Sequence, residues 1–162
     1  MSAGPRVSLP VAVIMGRRTV TGRGWAVPSW RAVGVVAGAG LPGREAQGRP
    51  VHSDGEEEHL LWGGLRLELY RDAAESYWVN LTGAQPSLFV LCTEDEESNL
   101  VPRLVTADQN EACSGIEGSE QVFAAPIPPE VYQQIEAFIV EHHVPQVRRK
   151  RKRTDWSPSE ES

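Results

Sequence analysis

Lysine is almost missing from this chain: of its 16 basic residues only Lys150 and Lys152 are lysine, the rest being arginine. Arginine in that excess, with abundant alanine, glycine, valine and proline, reflects the codons of a GC-rich bacterial genome rather than a mechanism. Cysteine is equally sparse. Cys92 and Cys113 are the only two, too few to staple a domain of this size, and they form no CxxC pair for metal or redox work. No apolar run approaches the roughly 20 residues that span a bilayer. The stretch Val7–Met15 imitates the core of a signal peptide, but Pro10 interrupts it, Arg17 and Arg18 follow at once, and only Arg6 precedes it. A strand in a cytoplasmic protein is the expectation. Also lacking are a G-x-S-x-G elbow, a Walker loop and a dinucleotide fingerprint; Gly34, Gly38, Gly40 and Gly43 are read as turn chemistry because no helix follows them. Asn80-Leu81-Thr82 is a sequon in pattern only.

What is present describes an ordinary globular chain. The 162 residues, 40% apolar and 23% charged, suffice for one domain with a core. Fifteen glycines and twelve prolines imply many turns, hence several short strands rather than a helical bundle. The net charge of −6 is unevenly spread. Residues 148–153 are six consecutive cations, whereas residues 1–147 hold 10 basic and 19 acidic residues, a balance of −9. An acidic body argues against a broad nucleic-acid-binding face, which would have to neutralise phosphates.

The pattern predicts an α+β fold: an antiparallel β-meander of about six short strands, possibly closing like a barrel, with one short helix and a C-terminal amphipathic helix. Residues 1–7 read as a flexible N-terminus, 8–147 as the single domain, and 148–162 as a disordered basic tail. Strands are expected at 9–20 and 30–37, with Trp25 and Trp30 flanking a turn at Pro28. Residues 38–58 have no periodicity and read as one long mobile loop. Leu65, Leu67 and Leu69 alternate with Arg66, Glu68 and Tyr70, a strand with one buried face. Tyr77, Val79 and Leu81 alternate with Trp78, Asn80 and Thr82, suggesting the return strand, and Leu88–Thr93 the third. A strand at 104–106, a short helix at 107–114 capped by Thr106 or Asp108 and ended by Gly115 and Gly118, and an edge strand at Val122 and Phe123 follow. The clearest helix starts at Pro128-Pro129-Glu130, carries Val131, Ile135, Phe138, Ile139 and His142 on one stripe, and stops before Pro145.

No constellation of chemistry-bearing residues assembles from spacing. His52, His59, His142, His143, Cys92 and Cys113 could ligate metal, but adjacent histidines on a helix point about 100° apart and no zinc spacing occurs. Cys92, between Leu91 and Thr93 in a strand, reads as a buried inert thiol; Cys113 reads as exposed. The acidic clusters 54–58 and 94–97 read as solvated loop charges. No catalytic residue, metal or cofactor is therefore expected. The tail reads either as a solvated end or as a contact arm for a protein partner, nucleic acid or an anionic membrane surface: Arg148, Arg149, Lys150, Arg151, Lys152 and Arg153 give a strong local field, and Trp156 is the kind of side chain that anchors a partner.

The order of these pieces resembles a family of bacterial proteins catalogued as domain of unknown function 3305. The residues that carry the resemblance are Trp25, Trp30-Arg31, Leu67-Glu68-Leu69-Tyr70-Arg71 and Tyr77-Trp78-Val79-Asn80-Leu81. They continue with Gln85-Pro86, Leu88-Phe89-Val90, Val105-Thr106-Ala107, Glu111-Ala112, Pro126-Ile127-Pro128-Pro129, His142-His143 and the basic end, over most of residues 9–153. Asp108-Gln109-Asn110 departs from the pattern, which has a Ser-Pro-aromatic helix start there. The resemblance assigns no catalytic residue. It implies an accessory or assembly role for a molybdenum- or tungsten-dependent formate dehydrogenase, through binding to a subunit or maturation factor of that enzyme. The alternatives it leaves open are a role in making or carrying the molybdenum cofactor (molybdopterin-guanine dinucleotide), and a nucleic-acid-binding regulator acting through the tail.

Overall fold

A computed structural model describes residues 4–143, so residues 144–162, with the whole basic run and Trp156, lie outside the described residues. The fold is α+β. Seven strands, β1 (Val7–Gly22), β2 (Trp25–Ala37), β3 (Gln47–Ser53), β4 (Glu57–Leu69), β5 (Ser87–Glu94), β6 (Leu100–Thr106) and β7 (Gln121–Pro126), form one sheet. Three α-helices accompany them: α1 (Ala74–Leu81), entered through a 3₁₀ turn at Arg71–Ala73, α2 (Gln109–Glu117) and α3 (Pro129–His142). The sheet runs β2-β1-β4-β6-β5-β7, and β7 comes back against β2 so that the sheet is nearly closed, like a barrel. All pairings are antiparallel except β4 with β6. β4 carries β1 along one edge and shares the other between β3 and β6.

One core cluster fills the sheet's interior and continues under two helices. Val11, Val13 and Met15 of β1 meet Leu67 and Leu69 of β4, Leu88 and Val90 of β5, and Val131, Ile135 and Phe138 of α3. The alternation at 65–69 and the stripe on α3 therefore do what their periods predict. Tyr77 of α1 belongs to the same core, its ring set edge-on to Phe138 with centroids 5.9 Å apart. Burial pushes its phenol up to about 12, although its oxygen accepts the Tyr70 N–H at 2.9 Å. The opposite face of β5 is covered by α2, where Gly115 lies so close on Leu91 that no Cβ would fit.

Several expectations are corrected. Residues 77–82 do not form a return strand. They lie in and just after α1, so the three-strand run of 65–93 is broken by a helix, and β6 sits between β4 and β5. The buried positions Ala74, Tyr77, Asn80 and Leu81 fall at helical spacing, and over six residues a period of two is easily mistaken for one of 3.6. The turn between the first two strands is Arg23-Gly24, with Gly24 at φ 73°, and Pro28 lies within β2. β2 ends the sheet path, where a missing N–H costs least. The stretch 38–58 contains β3 and the start of β4, and Ala46 within it is fully buried. The N-terminus is drawn into the sheet from Arg6, whose N–H bonds Leu69 O at 2.8 Å. The short helix forms despite its departure from the family pattern, because Asp108 caps it by accepting the Asn110 N–H at 2.9 Å.

Candidate interaction surfaces

Three places on the described surface combine exposed apolar or ionic groups. The first is the outer half of the β1–β2 hairpin. Val20 stands directly opposite Val27, and Gly22 opposite Trp25, so these side chains share one face. Trp25 is 53% exposed, Val27 48% and Val20 40%, an apolar strip left in water at the end of a projecting arm. The Trp25 indole lies over Gly22, in the space that a Cβ there would take. Charge follows a similar division. Residues 1–44 contain six arginines and no Asp or Glu, whereas 45–147 contain all 19 acids of the body. Among the described residues no carboxylate pairs with Arg18 or Arg23, which flank the strip.

The second place is the root of that arm. A cleft of about 600 Å³ opens between Arg17, Arg18 and Val27 on one side and Glu56, Glu57 and Glu97 on the other. Arg31 grips Glu57 with two bonds of 2.8 Å, and His59 Nε2 lies 3.0 Å from the same carboxylate. Those contacts, Arg31 first, hold the Glu57 carboxyl down to about 2. Arg17 pairs with Glu58, donates to Asn99 Oδ1 at 3.0 Å and lies over the Trp30 ring at 5.6 Å. A carboxylate fixed in its ionised form and used on both oxygens is a clamp between strands, not a proton donor. The acidic clusters thus divide: Asp54 and Asp95 each accept two N–H groups of their own turns, while Glu57 and Glu58 anchor the arm.

The third place is a groove of about 480 Å³ between α1 and α3, lined by Trp78, Leu81, Tyr132, Ile139, Val140 and His143. Val140 is 80% exposed and Trp78 46%. His143, the last described residue, stacks its ring on Trp78, with centroids 5.5 Å apart and planes at 9°. His142 instead turns to Phe138, 4.4 Å away, at the edge of the packed stripe.

Of the residues singled out for chemistry, Cys92 is buried and burial pushes its thiol up to about 12, while Cys113 is exposed. His52 and His59 meet ring to ring at 5.1 Å. Among the described residues no three His, Cys, Asp or Glu side chains gather as a metal site, and no helix is long and apolar enough to cross a membrane. The expected contact residues, Arg148 to Arg153 and Trp156, lie outside the described residues. The β1–β2 arm escaped sequence reasoning, although one signal for it was available: a chain of net charge −6 that reaches residue 45 before its first acid.

The described residues thus form a nearly closed α+β barrel that carries an exposed arm and an exposed helical groove. The chain belongs to the family described as protein of unknown function (DUF3305), whose model matches residues 10–153. No curated protein and no solved structure matches it significantly.

Proposed function

We propose that this protein is a non-catalytic accessory protein that acts by binding another protein, and that its partner is a molybdenum- or tungsten-dependent formate dehydrogenase, as the sequence resemblance implies. The observation that carries the binding role is the β1–β2 arm. Val20, Trp25 and Val27 form one exposed apolar strip, and Arg18 and Arg23 beside it lack carboxylate partners among the described residues. A tryptophan side chain has only two rotatable bonds to fix when it is buried, which makes it an efficient anchor. The arginines select a partner surface that is acidic around an apolar recess.

The test is calorimetric titration of the full chain with the purified dehydrogenase catalytic subunit. Binding is expected, with Trp25→Ala weakening it at least tenfold, the loss of about 1.4 kcal/mol or more at an anchor residue. Absence of binding by the wild-type chain, together with undiminished formate oxidation in a strain lacking the gene, would sink the proposal. Equal affinity for a single-stranded oligonucleotide at physiological salt would transfer the arm to nucleic acid.

A further inference from the structure

A cavity of another kind lies at the end of the β1–β2 hairpin remote from Trp25. We propose that this cavity, between the loop after β2 and a bulge in β4, binds a small phosphate ester. Arg44 and Arg66 would hold the phosphate, and the organic part would rest on Leu41, Pro42 and Leu65.

The cavity originates in a misfit of the sheet. β1 pairs Val11 with Leu65 but Val13 with Trp62, so β4 carries one residue more and bulges at Gly63-Gly64. The loop from Gly38 to Ala46 comes down on the bulge, where Gly63 N–H bonds Ala46 O at 2.7 Å. Between loop and sheet a space of about 460 Å³ remains, the size of a small-molecule site. Val11, 1% exposed, contributes to its lining, so the space reaches down to the core. Leu41, Pro42 and Leu65, each half-buried, give it an apolar shelf.

Its charged groups are both cations. Arg44 and Arg66 line it, and among the described residues no Asp or Glu does, in a chain of net charge −6. Arg66 is set in place by Ser8: Nε donates to Oγ at 2.6 Å and Nη2 to the main-chain O at 3.2 Å, which leaves Nη1 for a ligand. Arg44 lays its stem over Gly64, and among the described residues its guanidinium has no carboxylate partner. Glu45, next along the chain, accepts the Gly43 N–H at 3.1 Å instead. The loop adds further donors. Among the described residues the N–H groups of Ala39, Gly40 and Leu41 find no protein acceptor. Gly38 and Gly40 have φ 129° and 80°, with nothing within 4 Å of where a Cβ would stand, so backbone shape and access, not packing, account for glycine there. Two guanidinium forks beside a turn of free N–H groups match the geometry and charge of a phosphate. In the sequence these glycines read as turn chemistry alone; the fold brings the two arginines to them. The site is separate from the arm and stands whatever the arm binds.

Titration of the isotope-labelled full chain with ADP, inorganic diphosphate and adenosine, followed by amide NMR signals, tests it. No dehydrogenase is present, so the outcome is independent of the arm's partner. ADP is expected to shift the signals of Ala39, Gly40, Leu41 and Arg44 and to saturate at a concentration on the order of millimolar or below. Diphosphate should move the same signals with weaker affinity, and adenosine should move none. Arg44→Ala removes an exposed side chain without a protein partner, so its Tm should equal that of the parent while ADP binding weakens at least tenfold. Arg49→Ala, equally exposed but outside the cavity, should leave the affinity unchanged. No saturable shift with ADP, ADP binding no tighter than diphosphate, or equal losses in the two variants overturns the proposal. Binding to phosphatidylglycerol vesicles through Arg44, with none to ADP, also overturns it, because the phosphate is then a lipid headgroup.

Discussion

Asn80 shows how much one polar side chain can organise. It is 7% exposed, and its Nδ2 donates to Ser87 O at 2.8 Å and to Ala107 O at 3.0 Å while its Oδ1 accepts the Ser87 N–H at 3.1 Å. It thereby ties the end of α1 to the start of β5 and to the residue that follows β6. Replacing it with alanine strands three main-chain groups in a closed environment. Asn80→Ala is expected to lose about 3 kcal/mol in urea unfolding and to lower Tm by roughly 6–12 °C. A loss below about 1 kcal/mol would mean that water replaces these bonds. In the sequence Asn80 sits between Val79 and Leu81 and reads as the solvent face of a strand; only the neighbouring β5 and the end of β6 give it its partners.

Among the elements, the segment between β2 and β3 is held by an unusual contact. Gly63 N donates to Ala46 O at 2.7 Å, and a Cβ on Gly63 would collide with the carbonyl oxygens of Pro42 and Gly43. Gly64, next to it, adopts φ 77° against Arg44. Backbone cannot step aside as a side-chain tip can. Gly63→Ala is therefore expected to destabilise the fold by about 2–3 kcal/mol, whereas Gly34→Ala, with open space and an ordinary φ, stays within about 0.5 kcal/mol of the parent. Chemical denaturation of the two variants side by side measures the contrast. Equal effects would show that the Pro42–Gly43 backbone is loosely seated. Glycine at 63 and 64 is visible in the sequence, but the carbonyls it makes room for lie some twenty residues away along the chain.

At the scale of the molecule, titration sets the limits of stability. The Glu57 carboxyl has its folded pKa at about 2 against an ordinary 4.5, so its clamp on Arg31 contributes fully above pH 4.5 and is lost as the pH falls towards 2. Cys92 and Tyr77 shift in the other direction, to about 12 from 9.0 and 10.0. Burial favours their protonated forms, so their contribution is complete below pH 9 and declines as the pH rises towards 12. Stability measured against pH should be level from about 4.5 to 9 as far as these groups govern it, with Glu57→Gln flattening the acid limb and Cys92→Ser the alkaline one. An acid limb unchanged in Glu57→Gln would show that the Arg31 contact carries no net energy.

The amphipathic stripe of α3, the alternation at 65–69, the capped short helix and the inert burial of Cys92 were all legible in the chain, because each depends on spacing or on residue type within a few neighbours. The acid-free first 44 residues were legible too, as a charge statement without a place. What tertiary structure decided is which strands meet and which side chains are left outside. β6 enters between β4 and β5, α1 replaces an expected strand, and the Trp25 strip extends past the core. Short-range pattern cannot distinguish these outcomes. An exposed tryptophan and a buried one have the same composition, and only the packing of distant segments determines how much water each retains.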